Sequence, residues 1–192
     1  MRRTLLALLC AAFALGMSAA AVRADDGGHG GGSDHASCAA GNGGDDNGGG
    51  EAGSGRDGTA GDDDEHGSAS DDVLRGNAGD DDISGAAGDD DLCGDAGEDH
   101  IAGGAGDDRI AGGPGDDVEN GQGGDDVIDG DAGDDRITGG SGADVIHAGA
   151  GDDRVLARDH RRDHIACGAG DDTVVADRGD AVAQSCEHVS RP

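Results

Sequence analysis

The chain has 192 residues and carries 43 acidic side chains against 13 basic ones, which gives a formal net charge of −30 at pH 7. It contains 42 glycines and a single aromatic residue, Phe13, so a conventional aromatic-rich core is excluded. So large a negative charge disfavours nucleic acid as a partner and opposes any compact state that lacks bound cations.

Residues 1–24 have the features of a secretory signal peptide. Two arginines follow the initiator methionine, an apolar stretch runs from Leu5 to Met17, and small residues lead to Ala24. The apolar stretch is too short to span a bilayer, and no second apolar run of about 20 residues follows it. We therefore predict cleavage near Ala24 and a secreted, extracellular protein without a membrane span. The arginine pair leaves twin-arginine export as the alternative to ordinary secretion.

Residues 25–66 are rich in glycine, aspartate and serine and contain almost no aliphatic side chain. Such a composition is typical of flexible linkers. Fragments that begin at Gly41 and Gly58 keep part of a glycine–aspartate pattern that becomes regular further along the chain. We predict a flexible segment that contains decayed repeats.

A nine-residue repeat fills residues 67–183. A weaker unit at 67–75 and nine regular units at 76–156 share one register, and the eighth position is aliphatic everywhere except at Glu119. A ten-residue unit interrupts the register before it resumes at Cys167. A disordered acidic segment gives no reason for such regular spacing. The sixth position is aspartate in every unit of this register, as Asp72, Asp81, Asp90, Asp99, Asp108, Asp117, Asp126, Asp135, Asp144, Asp153 and Asp172.

Each unit predicts a six-residue turn followed by a three-residue strand. Glycine at the first, second and fourth positions permits positive φ angles in the turn, and the eighth side chain points inward because side chains alternate along a strand. Two units make one coil of 18 residues, so stacked coils form two facing parallel sheets. The inward residues are Ile83, Ile101, Ile137 and Val155 on one side and Leu74, Leu92, Ile110, Ile128 and Ile146 on the other, and the column continues through Ile165, Val174 and Val182.

The tandem pattern GGxGxDxUx, with an aliphatic residue at U, resembles the repeats-in-toxin, or haemolysin-type calcium-binding, family. The resemblance covers residues 67 to about 182, with departures at Glu119, at Ala148 in place of the first glycine, and in the ten-residue unit. It implies an all-β fold, a right-handed parallel β-roll (a β-solenoid) with two nonapeptides per coil and calcium ions between turns. It also implies that turn carbonyls complete each calcium shell. These are the carbonyls of Gly76, Gly79, Gly85, Gly88, Gly94, Gly97, Gly103, Gly106, Gly112, Gly115, Gly121, Gly124, Gly130, Gly133, Gly139, Gly142, Gly151 and Gly170.

Calcium suits these residues because it takes six to eight oxygen ligands in a tolerant geometry. Sixth-position aspartates two units apart lie on adjacent coils, roughly one strand spacing or about 4.8 Å apart, so one ion can bridge both carboxylates. Magnesium prefers a strict octahedron, and zinc prefers nitrogen and sulfur ligands that the repeat does not supply regularly. We predict several calcium ions as the cofactor, with folding coupled to their binding. The fifth-position acids are predicted to face outward and to attract cations.

Four cysteines follow residue 24, in a compartment that favours disulfides. Cys167 and Cys186 are 19 residues apart, about one coil, which brings their backbones within disulfide distance. We predict that residues 184–192 form a C-terminal tail held by a Cys167–Cys186 disulfide, with free thiols as the alternative. Cys38 and Cys93 remain as a second pair.

The sequence contains neither an HExxH zinc motif nor a GxSxG nucleophile motif, and no further domain that could hold a catalytic cleft. We therefore predict no enzyme activity. The expected function is that of a monomeric calcium-binding protein with a structural or interaction role, whose protein partner the sequence does not identify. The alternative is a non-catalytic remnant or accessory module of an extracellular enzyme, toxin or adhesin.

Overall fold

The computed structural model describes residues 55–192, which form sixteen β-strands and no helix. All the strands pair in parallel and form two sheets of eight, one from the odd-numbered and one from the even-numbered strands. The odd sheet contains β1 (Gly55–Asp57), β3 (Val73–Ala78), β5 (Asp91–Ala96), β7 (Arg109–Pro114), β9 (Val127–Ala132), β11 (Val145–Ala150), β13 (His164–Ala169) and β15 (Ala181–Val182). The even sheet contains β2 (Asp64–His66), β4 (Asp82–Ala87), β6 (His100–Ala105), β8 (Val118–Gly123), β10 (Arg136–Ser141), β12 (Arg154–Ala157), β14 (Thr173–Ala176) and β16 (His188–Ser190).

This topology is a parallel β-solenoid, because the chain passes to the other sheet after every strand and returns to the first sheet one coil later. The all-β roll expected from the repeat is therefore confirmed. Within the described part of the chain, no helix is long and apolar enough to cross a membrane.

The core is a narrow ribbon of aliphatic side chains between the two sheets. In the odd sheet Leu74 pairs with Leu92, which pairs with Ile110, and all three are buried. The even sheet aligns Ile137 with Val155 in the same way. Both inward columns were predicted from the eighth position of the repeat and are confirmed. The ten-residue unit does not break them, since a one-residue offset is taken up in the loop before β13.

The division of each unit into strand and turn differs from the prediction. Full-length strands have six residues rather than three, and the turn keeps only the fourth to sixth positions. Backbone pairing extends past the aliphatic residue into the next unit, where Asn77 pairs with Asp95 and Ala78 with Ala96. The strand continues because the first three positions of each unit also find partners on the adjacent coil.

Two of the repeated glycines are needed for different reasons. At the fourth position Gly124 has a φ of +145°, and a Cβ there would overlap the carbonyl of Gly106 on the preceding coil. At the first position Gly76 has no positive φ, so the expected left-handed backbone was wrong there. Glycine is required at that position because a Cβ would overlap the carboxylate of Asp81. The first glycine therefore provides space, whereas the fourth also provides a backbone conformation that side chains disfavour.

The described roll already includes residues 55–66, which precede the predicted start at residue 67. Residues 55–66 were assigned to the flexible segment, but they form β1 and β2, which pair with β3 and β4. The unit at 58–66 keeps the nine-residue register, with Glu65 buried at the eighth position, which is aliphatic in every other unit except that of Glu119. The unit was not recognised in the sequence because its eighth position holds a glutamate and not an aliphatic residue. The signal peptide expected at 1–24 and the remainder of the flexible segment lie outside the described residues.

The C-terminal tail is part of the roll. Strand β16 pairs with β14, and the predicted disulfide joins Cys167 to Cys186 with a Cα–Cα distance of 5.1 Å. Cys93 is also disulfide-bonded, whereas Cys38 lies outside the described residues. The disulfide therefore ties β13 to the segment that leads into the last strand.

Candidate calcium-binding site

The sixth-position aspartates end each turn, immediately before a strand. They lie on the inner wall of the roll, because burial alternates along the chain and they share the side of the aliphatic residue two places later. All eleven predicted sixth-position aspartates are at most 4% exposed. They are Asp72, Asp81, Asp90, Asp99, Asp108, Asp117, Asp126, Asp135, Asp144, Asp153 and Asp172.

One oxygen of each carboxylate ties neighbouring coils together. Asp126 Oδ1 accepts a hydrogen bond from the backbone N–H of Asp108 at 2.9 Å, and the N–H of Asp126 donates to Asp144 Oδ1 at 3.1 Å. The same bond recurs along both columns, always from a sixth-position amide to the carboxylate on the following coil. These bonds satisfy a buried amide in each turn.

The other oxygen is buried without a hydrogen-bond partner at most of these positions. Burial of a charged oxygen without a partner is costly, so such atoms call for a ligand in the folded protein. The unpartnered atoms in the two columns are the Oδ2 atoms of Asp81, Asp90, Asp99, Asp108, Asp117, Asp126, Asp135, Asp153 and Asp172.

Backbone carbonyls lie close to these carboxylate oxygens. A Cβ added to Gly85 would overlap Asp90 Oδ2 and would meet the carbonyl oxygen of Gly103, on the next coil, at 2.6 Å. The first-position carbonyl and the sixth-position carboxylate therefore face the same small volume. In the units from Gly76 onward, the carbonyls of the fourth-position glycines accept none of the backbone hydrogen bonds that the turns make. Every available ligand atom is thus a hard oxygen, the type that calcium prefers.

Burial raises the pKa of the carboxyls in the middle of both sixth-position columns, from Asp81 to Asp163. The pKa rises to about 6 for Asp117, about 7 for Asp126 and about 8 for Asp135. The hydrogen bond from the preceding coil's amide lowers each pKa, but burial outweighs it, and the neighbouring aspartates raise the pKa further. Without a cation, the inner wall therefore retains protons up to near-neutral pH or carries uncompensated buried charge.

No three His, Cys, Asp or Glu side chains within residues 55–192 converge closely enough to form a metal site by themselves. A site between two coils would contain two sixth-position carboxylates, and backbone carbonyls are the nearest further protein oxygens. This ligand set fits calcium, which accepts carbonyls readily, and does not fit the nitrogen and sulfur preference of zinc.

Three further aspartates occupy the sixth position but were not among the predicted ligands. Each of them lies two residues before an inward-facing side chain, and that spacing could have identified them. They are Asp63, Asp163 and Asp180. At the end of one column, Glu187 replaces the next aspartate as hydrogen-bond acceptor: its Oε2 accepts a hydrogen bond from the backbone N–H of Asp172 at 3.1 Å. No repeat spacing marks Glu187, so only the fold reveals it.

The fifth-position acids are exposed, as predicted. Their carboxylates also accept backbone hydrogen bonds from an adjacent coil, but the donor lies on the following coil and not on the preceding one. The N–H of Asp107 donates to Asp89 Oδ1 at 2.9 Å, so here the carboxylate of one coil accepts an amide from the following coil. Because these side chains are exposed, they can retain water and do not require a metal.

The family described as RTX calcium-binding nonapeptide repeat (4 copies) matches residues 57–92, 93–119, 120–155 and 162–182. Together these segments cover more than half of the 192 residues. No curated protein matches the chain. The recurrent turn, the buried aspartate column and the two parallel sheets agree with this match, and the chain belongs to the family of RTX calcium-binding nonapeptide repeat proteins.

Proposed function

We propose that the protein is a secreted calcium-binding β-roll that folds on binding several calcium ions and serves a structural or interaction role rather than a catalytic one. One observation supports this proposal above all. The inner wall contains two columns of buried carboxylate oxygens that have no hydrogen-bond partner. A divalent cation would neutralise them at the places where successive coils meet.

In this proposal, each ion lies between two coils and is bound by sixth-position carboxylates and by glycine carbonyls of the turns. Asp108 and Asp126 exemplify a pair, since they are successive members of one column and already joined through a backbone amide. Calcium would supply the positive charge that lets such a pair remain ionised inside the roll. The ligands come from different coils, so the site forms only when the chain folds.

The remaining features agree with an extracellular, non-enzymatic protein. The RTX β-roll is a structural calcium-binding domain, and RTX repeat proteins are typically secreted. The sequence features of residues 1–24 point to the same compartment. The formal net charge of −30 opposes both nucleic-acid binding and self-association, so we propose a monomer.

The test is a calcium titration of the secreted chain followed by circular dichroism, with magnesium as the matched control. We expect a disordered spectrum in chelator at pH 8 and a cooperative gain of β-structure as calcium rises to about 10 mM, roughly tenfold above the dissociation constant of the weakest extracellular calcium sites. Magnesium at the same concentration should produce much less. A chain that stays disordered in calcium, or that is equally folded in chelator, would contradict the proposal.

A further inference from the structure

Glu119 is the one residue of the nine regular units that breaks the aliphatic column. It lies in β8, where it pairs with Ile101 on one side and Ile137 on the other, and it is 0% exposed. A glutamate here replaces aliphatic contacts with a fully buried carboxyl group. Such a substitution is costly unless the carboxyl group has a partner of its own.

Neither carboxylate oxygen of Glu119 has a hydrogen-bond partner. Its position relative to Gly112 shows where one of them points. A Cβ added to Gly112 would meet Asp117 Oδ2 at 2.5 Å and Glu119 Oε1 at 2.6 Å, so these two oxygens face the same small volume. Asp117 Oδ2 is itself unpartnered, and so is Oδ2 of Asp135 on the next coil.

The neighbouring aspartate carboxylates are a second reason to expect a cation beside Glu119. Asp117 lies two residues before Glu119, and Asp135 lies two residues before Ile137, the strand partner of Glu119 on the next coil. The protein therefore buries the Glu119 carboxyl group on the same inner wall as two aspartates whose Oδ2 atoms have no hydrogen-bond partner.

We propose that Glu119 and Asp117 bind one calcium ion together, which makes this coil the tightest calcium site of the regular repeats. The inference rests on the proposed function, because it assigns an additional ligand to one of the calcium sites. At the corresponding positions, the other regular units supply an aliphatic side chain and no oxygen. Calcium affinity rises with the number of charged ligands, so an added carboxylate should lower the free calcium at which this site fills.

Glu65 provides an internal control because it occupies the same position in an earlier unit and is also buried, at 7% exposed. Its neighbouring sixth-position carboxylate is already satisfied. Asp63 Oδ2 accepts hydrogen bonds from the backbone N–H of Thr59 at 2.7 Å and from its hydroxyl at 2.8 Å. Replacement of Glu65 by isoleucine removes one negative charge from the same column as Glu119. Unlike replacement of Glu119, it does not remove an oxygen that lies beside an unpartnered sixth-position carboxylate of its own unit.

The experiment is native mass spectrometry of the full secreted chain across a calcium titration, for the unaltered protein and for Glu119→Ile, Glu119→Gln and Glu65→Ile. Circular dichroism at saturating calcium establishes that each variant folds. We expect the first ion of the unaltered protein to bind at a free calcium concentration about tenfold below that of the others. Glu119→Ile and Glu119→Gln should lose this early ion, and Glu65→Ile should keep it.

Two outcomes would overturn the inference. One is a first ion that binds Glu119→Ile and Glu119→Gln as early as it binds the unaltered protein, which would make Glu119 a neutral buried acid. The other is an equal weakening by Glu65→Ile, which would make the effect one of total charge. An unaltered protein that binds no calcium at all would refute the proposed function itself, and this result is distinct from both.

Discussion

The outer and inner acidic columns contain the same residue type in adjacent positions, yet the fold treats them differently. Asp125 and Asp126 illustrate the pair. Asp125 Oδ1 accepts the backbone N–H of Ala143 on the following coil at 2.8 Å, and Asp126 Oδ1 accepts that of Asp108 on the preceding coil at 2.9 Å. Both side chains therefore stack the coils with one hydrogen bond each, and this bond does not distinguish them.

The second oxygen makes the difference. Asp125 is exposed, so water can solvate its other oxygen, whereas Asp126 is 1% exposed and its Oδ2 has no partner. A buried carboxylate without a partner is unstable in its charged form. The comparison indicates that the need for a cation arises from where the carboxylates are buried, and not from how many acids the chain contains.

The largest effect should come from removal of calcium, and it should depend on pH. In the folded chain burial raises the pKa of Asp117 from 3.8 to about 6 and that of Asp135 to about 8. Between pH 4 and 8 the folded state then holds more protons than the unfolded state, so the stability of the metal-free roll falls as pH rises through that window. We expect chelator to leave β-structure at pH 5 and abolish it at pH 8, by circular dichroism.

Addition of calcium at pH 8 should restore the β-structure, because the cation replaces the protons on the inner column. A matched titration with potassium chloride controls for ionic screening, which acts mainly on the exposed outer column. If the chelated chain showed the same β-content at both pH values, burial of the inner column would not govern folding.

The next largest effect should follow from disruption of the turn that directs the two columns to opposite sides. Gly124 has a φ of +145°, and a Cβ would overlap the Gly106 carbonyl, whereas a Cβ on Gly123 would come no closer than 3.2 Å to any atom, the nearest being Ser141 Oγ. In saturating calcium, Gly124→Ala should lower the free energy of unfolding by about 3 kcal/mol or more, and Gly123→Ala by less than about 1 kcal/mol. Urea denaturation measures both changes. Equal losses would show that the turn tolerates a side chain at either glycine.

Much of this architecture could be predicted from the sequence because the repeat encodes it in register. An aspartate and an aliphatic residue two positions apart, repeated every nine residues, predicted the facing sheets and both inward columns. The spacing of Cys167 and Cys186 predicted the disulfide correctly, since one coil separates residues that are neighbours in space.

The parts that were missed depend on contacts between coils. Strand length exceeded the prediction because pairing extends into the first three positions of the next unit, which the repeat alone does not show. The first glycine was assigned to backbone conformation, although its function is to leave room for the carboxylate of its own unit. Glu65 concealed an early coil because it departs from the aliphatic pattern, and the extra residue near residue 160 concealed Asp163.

The smallest of these effects, and the most specific, should distinguish Asp126→Asn from Asp125→Asn. Each substitution removes one negative charge and retains an oxygen that can accept the stacking amide. In calcium, Asp126→Asn should raise the midpoint of the calcium titration about tenfold, and Asp125→Asn by less than about twofold, because only the inner oxygen is proposed to bind the ion. In chelator at pH 8, Asp126→Asn should have the opposite effect on stability. It removes a buried charge and should therefore stabilise the metal-free roll. Circular dichroism under both conditions measures the pair, and equal shifts for the two variants would mean that net charge, rather than burial of the inner column, determines the calcium requirement.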